Sequence, residues 1–600
     1  MAEYTAPLRD TLFNLQNVLK IGDYAGKPGF EALDADMVEP ILTEAGRFAA
    51  EVFAPLNASG DRQGCTRHDD GSVSVPDGFA DAYRQMCEAG WTTLTAPEAF
   101  GGQALPHAIG VAVEEFLSAA NMSLAMYPGL TDGAIRALLA RGSEEQQQTY
   151  LSKLVSGEWT GTMNLTEPHA GTDLGLLRTR AEPNGDGSYA ITGTKIFISC
   201  GEHDLAGNIV HLVLARLPDA PKGSKGISMF IVPKFLPDEN GEAGERNTLS
   251  CGSIEEKMGI HGSCTCVMNY DGAKGWLIGG EHKGLAAMFI MMNAARLWVG
   301  LQGLGQAEVS YQNGAAYALD RRQGRALTGP VDPDQNADLL VVHPDVRRLL
   351  MDARTRTEGL RALVLWSGFL SDLAHHAESE EERTRADDFV QLLTPVVKAI
   401  GTDIGYDVAT QMQQVWGGHG YIAENGMEQF VRDARIALIY EGANGVQAMD
   451  LVGRKLPMNG GRAIQSFFAL VDAEIAAAGS DEATTQIAAA LEKANGEMKA
   501  AAMWLMQNAP ENADNAGSAA YMTMQILGLV AIGLMWLRMA KAAGQALAAG
   551  EGDNAFMEAK LLCARHFARS HLPDAGALSR KLEGGADVIM AMPAESFLRA

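Results

Sequence analysis

Apolar residues recur at three- and four-residue spacing through the first part of the chain, for example over residues 35–57 and 110–126. That period places them on one face of a helix, so residues 1–159 are predicted to form an N-terminal helical domain. Between residues 160 and 279 the pattern changes to short runs rich in Ile, Val, Phe and Tyr, separated by Gly, Pro, Asn and Asp. These runs predict the strands of an antiparallel middle β domain.

Helical periodicity resumes after the predicted β domain. Residues 280–460 predict a helical-bundle domain that is interrupted by a polar loop at residues 328–338. The Ala- and Met-rich residues 461–600 predict an additional C-terminal helical domain, with a loop at "AAGEGDNA". The predicted fold is therefore mainly α, in the order helices, a middle β domain, helices and further helices.

One uncharged segment, Ser518 to Leu537, approaches the length of a membrane-spanning helix. Tyr521, Thr523 and Gln525 interrupt it, so the pattern favours a buried helix of a bundle. The N-terminus has no basic region followed by an apolar core, so no signal peptide is predicted. Seven cysteines in 600 residues do not make a disulfide framework. These features indicate a soluble, cytoplasmic protein.

The net charge of −26 and the pI near 4.9 argue against a nucleic-acid surface and against binding to anionic membranes. The motifs of serine hydrolases, phosphate loops and zinc proteases do not occur in the sequence. The glycines of "GLQGLGQAE" (Gly300, Gly303 and Gly305) lie inside helical periodicity, so close helix packing is favoured over a dinucleotide site. No metal site is predicted.

Four segments remain as candidate chemistry: "MNLTEPHAGTDL" (163–174), "TGTKIFISCGEHD" (192–204), "QQVWGGHGY" (413–421) and "IYEGANG" (439–445). Taken singly, the Gly- and Pro-containing segments can be ordinary loops. Glu441, at the end of an apolar run, can be a helix cap, half of an ion pair, or a catalytic group.

Together the four segments resemble the acyl-CoA dehydrogenase family of flavoproteins, in the right order and at plausible spacing. The resemblance covers residues from about 40 to 455 and extends to the long branch of that family. It implies an N-terminal helical domain, a middle β-barrel or sandwich and a C-terminal four-helix domain. The cofactor that it implies is FAD.

Residues of the first two segments are implied to contact FAD. Phe197 stands where the family usually has Trp, and Ser199 stands where it has Thr near the flavin; an aromatic face and a hydroxyl are preserved. Thr172 is also implied to face the pantetheine chain of the substrate. The implied FAD contacts from these segments are Met163, Leu165, Thr166, Gly171, Thr172, Phe197 and Ser199.

Gln414, Gly417 and Gly418 match the segment that holds the FAD of the neighbouring subunit in family dimers, so a homodimer is implied. Arg321 is placed like the arginine that reaches the neighbour's FAD pyrophosphate. Arg296 resembles the arginine that helps to hold CoA near the substrate.

Glu441 matches the family's catalytic base. Some relatives place their base beside the arginine of the preceding "ARL" motif, but that position here is Ala295, which cannot take a proton. Gly442 is an implied substrate contact. Ala443 is an implied FAD contact, and with Gly445 it stands where many members have Thr and Gln touching FAD.

The resemblance implies α,β-dehydrogenation of an acyl-CoA thioester, with 3-(methylthio)propanoyl-CoA converted to 3-(methylthio)acryloyl-CoA as the expected reaction. Glu441 would take the α-proton while hydride leaves the β-carbon for the flavin, and an electron-transfer flavoprotein is the implied acceptor. Two alternatives stay open: a medium- or long-chain fatty acyl-CoA dehydrogenase of the same branch, and a flavoprotein with a non-dehydrogenase binding role.

Overall fold

The computed structural model describes residues 3–479 and 481–598. The chain divides into two compact units, each described by itself below. The first comprises residues 1–43, 106–115 and 299–600, and the second comprises residues 44–105 and 116–298.

The N-terminal part is helical, as predicted. Asn121 and Ser143 cap two of its helices, each accepting a hydrogen bond from a backbone amide of the first turn. The helices are α1 (Leu8–Phe13), α2 (Val38–Phe48), α3 (Asn57–Gln63), α4 (Phe79–Glu88), α5 (His107–Ala120), α6 (Met122–Arg141) and α7 (Glu144–Val155). A hairpin, β1 (Thr66–Arg67) and β2 (Val73–Ser74), escaped the sequence pattern because its two-residue strands are too short to show alternation.

The strand-rich segment is also confirmed. Its strands are β3 (Trp159–Asn164), β4 (Arg180–Pro183), β5 (Tyr189–Ser199), β6 (Asn208–Arg216), β7 (Ile227–Pro233), β8 (Phe235–Pro237), β9 (Ala243–Arg246), β10 (Leu249–Ile254) and β11 (Thr265–Ile278). Seven of them form one sheet, in which β7 pairs with both β6 and β11. The pairing therefore closes a ring through β11, β5, β4, β6 and β7, which is the barrel that the resemblance implied.

The prediction of a purely antiparallel sheet is wrong in one respect. Strand β6 runs parallel to β3 and, through one residue pair, to β4. Parallel neighbours need a crossover connection rather than a hairpin, and side-chain alternation shows which face is buried but not which strand is the partner.

Helices joined by turns and loops make up the rest of the described chain. Its helices are α8 (Gly284–Asp320), α9 (Pro344–His376), α10 (Glu380–Val415), α11 (Met427–Ala437), α12 (Asn444–Asp450), α13 (Arg462–Ala476), α14 (Glu482–Asn508), α15 (Ala513–Ala549), α16 (Asn554–Ser570), α17 (Asp574–Leu582) and α18 (Asp587–Ala591). The predicted polar loop lies in the longer connection between α8 and α9, which is irregular except for the 3₁₀ turn Leu340–Val342. Buried Asp338 shapes that connection, because its carboxylate accepts hydrogen bonds from the backbone amides of Ala326, Val331 and Asp332.

Glycines bring α8 and α10 into backbone contact. A Cβ on Gly300 would lie 2.7 Å from the carbonyl oxygen of Val397, and one on Gly303 would lie 2.3 Å from that of Gly401. Neither distance is possible for a real side chain, so any larger residue would separate the two helices. The prediction that these glycines serve helix packing is confirmed for Gly300 and Gly303.

Among the described residues, two helices, α8 and α15, are long and apolar enough to cross a membrane by length and composition alone. In α15 the most apolar window is 78% buried inside the protein, and Trp536, Leu534 and Met535 are fully buried there. The prediction that residues 518–537 form a buried bundle helix is confirmed.

A cluster of buried charges joins five helices of the first unit. The guanidinium of Arg361 on α9 is 1% exposed and donates to Asp10 on α1, Glu115 on α5 and Glu308 on α8. Lys560 on α16, also buried, pairs with Asp10 and, at 2.8 Å, with Glu358. Buried ions persist only when each is paired in good geometry, so this cluster fixes how these helices meet.

The cluster carries more acid than base. Arg354 also belongs to it, because its guanidinium pairs with Glu358 at 2.7 Å. Four carboxylates (Asp10, Glu115, Glu308 and Glu358) therefore face three cations (Arg354, Arg361 and Lys560), which leaves one negative charge in excess. Burial raises the pKa of Glu115 to about 7, although Arg361 lowers it. Retaining one proton on Glu115 near neutral pH would balance the cluster.

Arg361→Ala is expected to destabilise the protein strongly, because three buried carboxylates lose their shared counter-charge. Breaking a buried pair in this way lowers the free energy of unfolding by about 3–5 kcal/mol. Denaturant unfolding of the purified variant measures it. Arg47→Ala is the control, since that exposed arginine bridges only Glu44 and Glu51. Equal shifts for both variants would contradict the role given to Arg361.

Glu115→Gln is expected to remove a pH dependence of stability. A pKa raised in the folded state means that the contribution of Glu115 is fully present below its ordinary value of 4.5 and is lost as pH rises through about 7. Glutamine cannot ionise, so the melting temperature of the variant should decline less than that of the wild type across this window. Parallel melting curves of the two proteins against pH would contradict the assignment.

Candidate active site

Glu441 lies in the linker between α11 and α12, in the first unit. Its φ of 54° is in the left-handed region that glycine favours, and Gly442 follows with a φ of 85°. Holding a glutamate in that conformation costs about 1–3 kcal/mol, and such strain clusters at functional sites. The N-cap position of α12 is Ala443, so Glu441 does not occupy it. The glutamate is half-buried.

Hydrogen bonds of Gln447, Tyr440 and Asn444, to which the sequence analysis gave no role, hold this linker. The side-chain amide of buried Gln447 donates to the carbonyl oxygens of Glu441 at 3.2 Å and Gly442 at 3.1 Å. Tyr440 donates to Gln302, a buried residue of α8. Asn444, the first residue of α12, is buried and accepts a hydrogen bond from Lys398 at 2.8 Å. Gln447 follows Glu441 at helical spacing, and that spacing was the signal available in the sequence. Gln302 and Lys398, the partners of Tyr440 and Asn444, are remote in sequence and gave no such signal.

In the second unit, a buried ion pair fixes the loop after β3. Lys195 on β5 is fully buried and donates to Glu167 and to the carbonyl oxygen of Leu165, both at 2.9 Å. Burial lowers the pKa of Lys195 to about 8, while Glu167 raises it. Burial raises the pKa of Glu167, but Lys195 and several hydrogen bonds bring it below its ordinary value. Both groups are therefore charged near neutral pH.

The same loop is tied to a distorted part of β5. The carbonyl oxygen of Thr166 accepts a hydrogen bond from the backbone amide of Ile196 at 2.9 Å. At that point the pairing of β5 with β11 slips by one residue, which is a β-bulge. Phe197 in the bulge has a φ of 58°, and its side chain is 60% exposed. Phe197 therefore presents an aromatic ring at the surface of the second unit from a backbone position that is strained.

The structure thus brings Thr166, Phe197 and Ser199 together on neighbouring parts of the second unit. Ser199 ends β5, where its carbonyl oxygen accepts from the hydroxyl of Thr162 at 2.7 Å. The predicted contacts Gly171 and Thr172 are exposed on the turn that follows Thr166. Met163 is buried in β3, and Leu165 is half-buried beside Thr166.

In the first unit, Gln414, Gly417 and Gly418 are exposed at the end of α10 and in the 3₁₀ turn Gly417–Tyr421. A Cβ on either glycine would meet nothing within 4 Å, so close packing within the described chain does not require glycine there. The turn itself is fixed by Trp416, which stacks on Tyr317 at 4.2 Å. Gly417 has a φ of 57°, in the left-handed region that glycine favours, so the backbone of the turn itself accounts for this glycine.

Arg321 follows the end of α8 and is exposed. The two arginines after it hold the connection between α8 and α9: Arg322 pairs with Asp332 at 2.9 Å and Arg325 with Asp338 at 3.2 Å. Arg322 and Arg325 are therefore half-buried in ion pairs, whereas the side chain of Arg321 is exposed.

The N-terminal half of α8, in the second unit, carries Ala295 and Arg296. Ala295 is 7% exposed and offers no carboxylate. Arg296 is 5% exposed, and its guanidinium lies 5.8 Å from the centre of the Phe289 ring. One of its terminal guanidinium nitrogens donates to the side-chain oxygen of Asn293 at 3.5 Å.

Asp352, His566 and His571 bring ligand-type atoms within 4.8 Å of one another in the first unit. His566 lies 2.8 Å from one carboxylate oxygen of Asp352, and Arg348 lies 2.9 Å from the other. Burial lowers the pKa of His571 to about 4. Both carboxylate oxygens of Asp352 are thus paired with neighbouring side chains, so the three residues form an ion-paired cluster.

Family models match four consecutive parts of the chain. Their descriptions are acyl-CoA dehydrogenase, N-terminal domain (residues 38–158), middle domain (162–273) and C-terminal domain (282–456). A fourth, acetyl-CoA dehydrogenase C-terminal like, matches residues 467–593.

Two curated relatives match the chain along almost its whole length. A 3-methylmercaptopropionyl-CoA dehydrogenase of Ruegeria pomeroyi is 42% identical and covers 98% of this chain and 99% of its own. A broad-specificity linear acyl-CoA dehydrogenase, FadE5 of Mycobacterium tuberculosis, is 36% identical and covers 96% of each chain.

Solved structures share the fold. ACDH-11 of Caenorhabditis elegans, in complex with C11-CoA, superposes with a TM-score of 0.80 at 18% identity, covering 98% of this chain and 96% of that one. An acyl-CoA dehydrogenase of Bacillus anthracis complexed with FAD has a TM-score of 0.74 at 20% identity, covering 94% and 90%. At these identities the likeness shows the fold alone.

Proposed function

This chain belongs to the FAD-dependent acyl-CoA dehydrogenase family, and we propose that its substrate is 3-(methylthio)propanoyl-CoA, which it converts to 3-(methylthio)acryloyl-CoA. The observation that supports this acyl group is the 42% identity over 98% of the chain to a 3-methylmercaptopropionyl-CoA dehydrogenase. A linear fatty acyl-CoA is the second candidate, because a broad-specificity linear acyl-CoA dehydrogenase is 36% identical over 96% of the chain.

The residues fit the cofactor. Phe197 offers an exposed aromatic face, Ser199 a neighbouring hydroxyl, and Thr166 a loop fixed by the Lys195–Glu167 pair. Gly171, Thr172, Met163, Leu165 and Ala443 complete the contacts that we propose. When bound, FAD accepts the hydride that leaves the β-carbon of the acyl chain.

Glu441 is the proposed catalytic base, and its held conformation is the observation that carries the mechanism. Two features fix the backbone from which the Glu441 side chain projects: the left-handed φ, and the hydrogen bonds from Gln447 to the carbonyl oxygens of Glu441 and Gly442. A base works by being close to the proton that it removes, so a preset conformation lowers the barrier. The α-proton of the thioester passes to this carboxylate.

The other proposed substrate contacts are Arg296, Thr172 and Gly442. Arg296 is buried on α8 and carries a positive charge, which is the kind of group that would attract an acceptor atom of CoA. Negative charge that develops on the thioester oxygen needs donors, and the backbone amide of Glu441 is the one this chain would supply.

We further propose a homodimer in which Gln414, Gly417, Gly418 and Arg321 contact the FAD of the neighbouring subunit. Their exposure in the first unit, with open space around both glycines, supports this role. An electron-transfer flavoprotein is the proposed acceptor of the electrons, and the cytoplasm the proposed location.

Glu441→Gln is expected to keep FAD and the fold but to lose proton abstraction. Under anaerobic conditions the flavin absorbance of the wild type should bleach on addition of substrate, and the rate in the variant should fall by about 10²–10⁴-fold. Glu424→Gln, at an exposed site in the 3₁₀ turn Ala423–Asn425, is the matched control and should bleach like the wild type. Undiminished bleaching in Glu441→Gln would remove the residue from this role.

The acyl group is tested by comparing kcat/KM for 3-(methylthio)propanoyl-, pentanoyl-, octanoyl- and palmitoyl-CoA. Pentanoyl-CoA is the matched ligand, because it has a methylene in place of the sulfur. We expect the sulfur-containing thioester to be the best substrate, pentanoyl-CoA to follow within about tenfold, and palmitoyl-CoA to be more than about tenfold worse. A preference for octanoyl- or palmitoyl-CoA would favour the linear fatty acyl alternative.

A further inference from the structure

The additional C-terminal domain, residues 461–600, contacts helix α10 close to the Glu441 linker. Tyr521 on α15 donates a hydrogen bond to the carboxylate of Asp403 on α10. Two turns later on α15, a Cβ on Gly528 would lie 2.5 Å from the side chain of Ile400, so the two helices are closely packed there. Two contacts therefore hold Tyr521 against α10: the hydrogen bond of its hydroxyl and the close packing of its helix.

Asp403 connects Tyr521 to the residue that follows the Glu441 linker, because it accepts a hydrogen bond from each. Its second carboxylate oxygen accepts a hydrogen bond from the side-chain amide of Asn444 at 2.9 Å. The same amide lies 3.1 Å from the carbonyl oxygen of Ala399 and 3.0 Å from the hydroxyl of Thr402. Asn444 is buried, so its orientation is set by these partners and by Lys398.

Asn444 in turn sets the start of α12. Its backbone amide donates to the carbonyl oxygen of Leu438 at 3.1 Å, which closes the turn that contains Glu441. Gln447, one helical turn further along α12, donates to the carbonyl oxygens of Glu441 and Gly442. The position of α12 thus decides whether these two hydrogen bonds form.

We propose that Tyr521 is a positioning residue for the reaction: through Asp403 and Asn444, the additional C-terminal domain holds the strained Glu441 linker in place. The catalytic part of this statement rests on the proposed function of Glu441. The mechanical part, that Tyr521 holds the linker, does not.

A purely structural explanation exists and can be separated from this one. Helix α15 makes a second hydrogen bond to the dehydrogenase part of the chain, from the indole of Trp536 to the carbonyl oxygen of Thr355 at 3.0 Å. That bond ends on α9 rather than on the linker. Trp536→Phe is therefore the matched control, because it also removes one hydrogen-bond donor from α15.

Hydrogen–deuterium exchange of the FAD-loaded protein tests the mechanical part. In Tyr521→Phe, peptides covering residues 438–450 should exchange about tenfold faster, the factor expected from losing a hydrogen bond to a charged group. Asp403→Asn is a second variant and should act in the same direction. Trp536→Phe should lower the melting temperature without changing exchange in these peptides. Unchanged exchange in both Tyr521→Phe and Asp403→Asn would overturn the proposal.

Kinetics test the catalytic part. Tyr521→Phe should lower kcat and the anaerobic rate of flavin bleaching about tenfold, while KM and FAD content stay at wild-type values. The double variant with Asp403→Asn should lose no more than the larger single loss, since the two residues act in one chain of contacts. Faster exchange with unchanged bleaching would overturn the positioning role. A wild type that bleaches with none of the acyl-CoAs would instead overturn the proposed function, and exchange would still decide whether Tyr521 holds the linker.

Discussion

The guanidinium of Arg361 is the interaction on which the helical unit depends. It is buried, it cannot lose its charge, and it satisfies three carboxylates that come from distant parts of the sequence. With Lys560 it gathers α1, α5, α8, α9 and α16 around one point. Apolar packing would tolerate small shifts of these helices, but paired buried charges do not, so the cluster gives the unit a single arrangement.

The first unit and the second each contain one non-glycine residue of the candidate chemistry that is held in a strained backbone conformation. Glu441 and Phe197 are non-glycine residues in left-handed backbone conformation, and each lies beside buried polar groups. Gln447 and Asn444 support the first, and the Lys195–Glu167 pair supports the loop bonded to the second. The free-energy cost of this strain is met when the protein folds, because buried hydrogen bonds stabilise the strained conformation. The backbone then needs no reorganisation during the reaction.

The order of helical and strand-rich segments could be predicted from the chain, because apolar periodicity records which face of each element is buried. The β1–β2 hairpin and the parallel neighbours of β6 could not, since two-residue strands carry no period and alternation does not name a partner. Motifs pointed to Glu441, Thr166 and Phe197. The residues that hold them, such as Gln302 with Tyr440 or Tyr521 with Asp403, are separated by 138 and 118 positions, and only the fold brings them together.

The backbone contact between α8 and α10 has a consequence for motion. Where two helices touch through Gly300, Gly303, Gly401 and Gly405, neither can slide or rotate without driving carbonyl groups into each other. Residues 398–403, which lie on α10 beside this contact, therefore behave as a fixed frame. Because Asn444 is hydrogen-bonded to Lys398, Ala399 and Asp403 of this frame, the six-residue stretch 438–443 that carries Glu441 is anchored to a part of α10 that cannot shift against α8.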